Sequence, residues 1–136
     1  MGYDFQIVRL IGGAPEFPFK PESGFEMKRI GTFTNLCGIR DALAAECGFR
    51  PYRHLTGHVS QIWETPDGGS LSISLDSEAD AISLYIDTHA RWCFVLEVLS
   101  CVKKTYPDAV LVDPQTVLLY DETSFREFIQ SNMRAK

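Results

Sequence analysis

The alternation of apolar and polar positions begins at the start of the chain. In "YDFQIVRLI" Tyr3, Phe5 and Ile7 fall on one side of an extended backbone, which predicts a strand. "GGAPEFPFKPESG" then breaks the pattern, because Gly12, Gly13, Pro15, Pro18 and Pro21 forbid a regular element. This loop carries Phe17 and Phe19, which either fold back onto the core or face a partner. The period lengthens in "TNLCGIRDALAAECGFRP", where Leu36, Ile39, Leu43 and Cys47 form a helical stripe. Thr34 or Asn35 can cap its start, and Gly48 and Pro51 mark its end.

A two-residue period returns in "HVSQIWETPDGGSLSISL", two strands joined by a Pro-Asp-Gly turn. A three-residue loop there puts Val59 and Trp63 on the face of Leu71, Ile73 and Leu75. A longer loop would put Ile62 there instead; the first register buries the larger ring. "AISLYID" continues the meander with Ile82, Leu84 and Ile86 inward, while Ser70, Ser72, Ser74 and Ser83 line a wet face.

The helical period resumes from Trp92, with Val95, Leu96, Leu99 and Val102 on one side and Phe94, Val98 and Cys101 widening it. So broad an apolar face predicts a helix packed centrally on the sheet. "AVLVDPQTVLLYD" reads as two short strands about Asp113-Pro114, or as one bent strand. "SFREFIQSNM" closes the chain as a helix, with Ser124 and Glu127 at capping-box spacing. The order β-α-β-β-β-α-β-β-α defines one α+β domain over residues 1–136. Its sheet is mainly antiparallel, with helices packed on one face.

Charge and chemistry refine this picture. The net charge of −5 weighs against general nucleic-acid binding, which depends on Lys and Arg at phosphates. No apolar run approaches the roughly 18 residues of a membrane span. Asp4 and the lack of a small-residue cleavage site argue against a signal peptide, so a cytoplasmic location with reduced thiols is expected.

His89, Cys93 and Cys101 share one segment, which raises the question of a metal site. Eight helical positions separate the two sulfurs by about 80° and roughly 12 Å. One Zn²⁺ with bonds of about 2.3 Å cannot reach both. Cys101 therefore belongs to the core, and Cys93 to the face of Glu97, Ser100 and Lys104. "DSEAD" with Asp87 lacks the glycine a calcium loop needs at its sixth position, where Ala81 stands. No nucleophile elbow, phosphate loop, dinucleotide fingerprint or zinc-protease motif occurs, so no catalytic residue, metal or cofactor is assigned. Arg50, Arg53, His54 and His58, with Tyr52, make a local basic patch, and this is the alternative reading: an anion- or ligand-binding site or a small enzyme.

The C-terminal third, "DAVLVDPQTVLLYD" between a hydrophobic helix and a short amphipathic one, resembles the ending of small bacterial immunity proteins and related uncharacterised α+β proteins. The resemblance implies a non-catalytic bacterial protein whose function is a surface that meets a toxin. Asp76, Glu78 and Asp80, with Asp113, Asp121 and Glu122, would face a basic partner, and Phe17 and Phe19 would supply aromatic anchors. An apolar patch around the same two phenylalanines would instead mark a homodimer.

Overall fold

The computed structural model describes residues 2–14, 16–20, 30–34, 36–46, 50–54, 61–64, 69–74, 80–87 and 91–131. Eleven elements follow in chain order: β1 (Tyr3–Leu10), β2 (Ile30–Gly31), α1 (Leu36–Glu46), β3 (Arg50–His54), β4 (Gln61–Glu64), β5 (Ser70–Ser74), β6 (Ala81–Ile86), α2 (Cys93–Thr105), β7 (Ala109–Asp113), β8 (Leu118–Tyr120) and α3 (Glu122–Ser131). The fold is α+β, as the periodicities predict. Every expected element is present, and two short strands, β2 and β3, are added.

The strands form one sheet in the order β3-β4-β5-β6-β1-β7-β8, and every pairing is antiparallel. β2 continues the line of β6, pairing Gly31 with Arg9 just beyond the Ala81–Val8 pair. The β4–β5 register sets Trp63 opposite Leu71, the alignment expected of the shorter loop. Both edges of the sheet are blunted. β3 contains Pro51 and a register shift between Pro51 and Arg53. Alongside β8, Phe19 exchanges two backbone hydrogen bonds with Leu119 at 2.8 and 2.9 Å.

The two faces of the sheet are covered differently. Phe5, Ile7, Leu71, Ile73, Ile82, Leu84, Ile86 and Leu111 pack under the helices in one core. α2 lies between α1 and α3 and contributes Val95, Val98, Leu99, Cys101 and Val102. The expected division of the thiols holds: Cys101 is buried and Cys93 exposed. At one end of this core an aromatic cluster locks α3 to the sheet. Phe125 meets Phe5 and Tyr120 edge-on, with centroids 5.5 and 5.6 Å away, and Phe128 stacks on Trp92 at 5.9 Å.

Val8, Leu10, Val110, Val112 and Leu119 point to the other face and form a smaller cluster. Ala14, Phe17 and Phe19 cover it, half-buried. Of the two fates the sequence offers these phenylalanines, the structure shows the rings packed against their own sheet. Strands β1 and β7 thus bury side chains on both sides, which is why Ile7 and Val8, neighbours in sequence, are both buried.

The start of α3 corrects one expectation. Ser124 and Glu127 are not its capping pair. Asp121 is the cap, its carboxylate accepting the Ser124 N–H at 2.8 Å while the Ser124 hydroxyl accepts the Asp121 N–H at 3.0 Å. The cap thus lies three residues before Ser124, and the helix begins at Glu122, two residues earlier than "SFREF" suggests.

The turn joining β7 to β8 is built on Asp113, only 1 % exposed. Its carboxylate accepts the Tyr3 hydroxyl at 2.8 Å and the Gln115 N–H at 3.0 Å, so burial leaves it bonded. The Val117 N–H returns to the Asp113 carbonyl at 2.8 Å, and Val117 takes φ 59° as the chain leaves the turn. A β-branched residue is strained there, and Val117 is 48 % exposed, so its side chain gives little back. Val117→Asn, which tolerates this conformation, should raise stability by about 1 kcal/mol in urea unfolding. Unchanged or lower stability would show that the strain is absent.

Candidate functional site

The sheet face away from the helices is divided in two. Over β7, β8 and the end of β1, Ala14, Phe17 and Phe19 close it. Toward β5 and β6 it presents Asp4, Gln6, Ser70, Ser72, Ser83, Tyr85 and Asp87, residues that alternate with the buried positions of their strands. Tyr85 is 44 % exposed, and Ser83 and Asp4 are exposed with it.

Strand geometry explains this grouping. Asp4 is the register partner of Tyr85 on one side, and Ser72 is its partner on the other. Directly opposite residues of an antiparallel pair carry Cβ atoms about 4.5–5.5 Å apart, so the Asp4 and Tyr85 side chains start from neighbouring positions on this face. The ring itself is held. The Gly2 N–H donates to the Tyr85 hydroxyl at 3.0 Å. A Cβ at position 2 would overlap the tip of the Tyr85 ring and the Ile86 carbonyl, so the close approach needs glycine. Asp87 is occupied at the strand end, where it accepts both the N–H and the hydroxyl of Ser70 at 3.1 and 2.7 Å.

The other residues singled out by sequence are spread over the molecule. Asp80 is exposed at the start of β6 and accepts the Thr32 hydroxyl at 3.2 Å. Asp121 caps α3. Glu122 joins α3 to α2 through the Ser100 hydroxyl at 2.6 Å and the Lys103 ammonium at 3.5 Å. Arg50, Arg53 and His54 lie on β3. The register shift aligns Arg50 with Glu64 and Arg53 with Ile62, positions of one face, while His54 falls opposite Gln61 on the other. Asp76, Glu78 and His58 lie outside the described residues, as does His89.

On the opposite side of the molecule the helices line an open cleft of about 240 Å³. Its floor is Leu96 and Cys101, and its rim carries Glu46 of α1, Glu97, Ser100 and Lys104 of α2 and Arg126 of α3. Lys104 and Glu46 bridge one end at 2.6 Å. Desolvation by surrounding protein pushes the Glu97 carboxyl above its ordinary range. The sequence showed the α2 side of this cleft as the polar stripe of Cys93, Glu97, Ser100 and Lys104. Nothing in it signalled that Glu46 and Arg126 would join that stripe.

Among the described residues no group of three or more His, Cys, Asp or Glu could hold a metal ion. No described helix is long and apolar enough to cross a membrane. The chain matches no family model, no curated protein and no solved structure.

Proposed function

We propose that the chain is a non-catalytic domain that binds a basic protein partner through the open half of its sheet, with Tyr85 at the centre. The observation that carries this reading is an exposed, anchored Tyr85 whose partner across the strand pair is exposed Asp4. A lysine or arginine laid over that ring gains a cation–π contact and a carboxylate together. Aromatic residues held rigid before contact are favoured as interface anchors, because little conformational freedom remains to be lost. The net charge of −5 adds long-range attraction for the same partner. The sharpest form of the reading is an immunity protein that neutralises a basic toxin; exposed Asp80 at the end of the same strand supports it.

The test is capture from native cells on the tagged protein, eluted by a salt gradient. A stoichiometric basic partner leaving at moderate salt is expected. Tyr85→Ala should reduce its retention at least tenfold, since interface anchors of this kind contribute about 2 kcal/mol or more. Gly2→Ala should act in the same direction by displacing the ring. Undiminished capture by Tyr85→Ala would sink the proposal.

A further inference from the structure

The half of the sheet face beyond Tyr85 is closed by the chain's own loop. The seat of that loop consists of Val8 and Leu10 of β1, Val110 and Val112 of β7 and Leu119 of β8, none more than 8 % exposed. The main core lies on the other side of the same strands. The seat is therefore carried by paired strands and keeps its shape without its cover.

The cover is slight by comparison. Phe17 and Phe19 pack on the seat but stay half-buried, and Glu16, Pro18 and Lys20 beside them are exposed. Leu119, the middle residue of β8, directs its N–H and C=O away from β7, and Phe19 takes both, at 2.8 and 2.9 Å. This contact is an isolated bridge, one residue long. Near the end of β1 the loop passes through Gly12 and Gly13, at φ 84° and 67°, with nothing within 4 Å of an added Cβ. Successive left-handed glycines in open space are where a backbone most readily changes direction.

We propose that this seat is a binding site for an extended segment of another protein, carrying two aromatic side chains about a proline, and that Phe17–Phe19 occupies it in cis. The chain itself displays the chemistry that fits: two rings for the apolar seat and one pair of main-chain hydrogen bonds to Leu119. An incoming segment adds to the sheet edge in the same way, its main chain supplying affinity and its rings specificity. It has to displace a tethered competitor, whose effective concentration is of about millimolar order. The five seat residues are uncharged, so this site is independent of the basic partner proposed for Tyr85.

The experiment uses the ¹⁵N-labelled full chain and the peptide Glu-Phe-Pro-Phe-Lys, the sequence of residues 16–20, with Glu-Ala-Pro-Ala-Lys as control. Phe17→Ala/Phe19→Ala empties the seat, and unchanged α2 amide shifts report that the helix-side core is intact. This variant should bind the aromatic peptide saturably and at least tenfold more tightly than the parent does. The shifts should centre on Val8, Val110, Val112 and Leu119, and the control should produce none. In the parent, the Phe19 and Leu119 amides should exchange hydrogen together, at least tenfold faster than those of the β1–β7 ladder after correction for intrinsic rates. Absence of saturable shifts in the folded variant, or equal binding to parent and variant, overturns the assignment. So does exchange of Phe19 and Leu119 only in step with the ladder, a result that needs no variant to fold. A parent that dimerises with the same shifts would give the seat to a second copy's loop and overturn it equally.

Discussion

Replacing Phe125 with alanine is expected to remove about 3–5 kcal/mol of stability, the largest loss of any single change considered. The ring is fully buried and touches β1 through Phe5, β8 through Tyr120 and its own helix through Phe128. Its removal leaves a cavity bordered by three elements, none of which can move in alone. Helix α3 has a hydrophobic anchor and a cap, and the anchor contributes more: an N-cap is worth about 1 kcal/mol. Total stability of a domain is about 5–15 kcal/mol, so the variant should sit near the edge of folding at 37 °C. Urea unfolding is the measurement, with the midpoint lowered and the slope unchanged. A loss below about 1 kcal/mol would mean that α3 does not pack as described.

Arg9→Ala should follow, with a loss of about 2–4 kcal/mol. The Arg9 guanidinium grips Asp108 with two bonds of 2.9 and 3.1 Å. It also donates to the Thr32 carbonyl at 2.9 Å and lies 4.8 Å above the Tyr106 ring. The hydrogen bond from Arg9 to Asp108, more than any other influence, raises the guanidinium's already high pKa, so the charge persists at every accessible pH. A surface ion pair is worth little, but this one is partly buried and bidentate, and truncation strands Asp108 and the Thr32 carbonyl together. Tyr106 extends the same junction by accepting the Thr34 N–H at 2.9 Å. Arg9→Lys keeps the charge and loses the fork, so it should recover only part of the loss. Equal stability of the lysine variant and the parent would show that charge alone matters here.

The difference between what was legible in the chain and what was not follows the range of the interactions. Elements whose signal is a repeating stripe were readable: α2 from Val95, Leu99 and Val102, and β6 from Ile82, Leu84 and Ile86. The β4–β5 register was readable because, of the two turn lengths weighed, only the shorter sets Trp63 opposite Leu71. β2 is two residues long, too short for any period, and exists because Arg9 and Leu10 run on beyond the end of β6. β3 was hidden by Pro51, which reads as a breaker and is accommodated on an edge strand. The α3 cap was misplaced because Ser124 suits either end of a capping pair, and only the β8 endpoint decides between them.

The candidate site shows the same division. Ser83 was assigned to a wet face by alternation, but Tyr85 was not singled out, and Asp4 and Gly2 join it through a pairing across some 80 residues. Sequence offered no reason to connect those positions. The acidic residues chosen from sequence illustrate the converse. Asp113, Asp121 and Glu122 looked like surface charge, and each bonds a neighbour that fixes a turn or a helix. Local composition reveals a carboxylate but not the donor that reaches it.

The position of β1 has a consequence for synthesis. It is central in the sheet, yet its neighbours β6 and β7 lie far downstream, with Asp4 paired to Tyr85 and Val8 to Val110. At roughly 5–20 residues per second, a ribosome releases β1 on the order of ten seconds before either partner. During that interval a segment with Phe5 and Ile7 on one side and Val8 and Leu10 on the other has no strand to join, and non-local pairing of this kind is slow once it begins. The nascent chain is thus most exposed to aggregation through the same strand that later holds the sheet together.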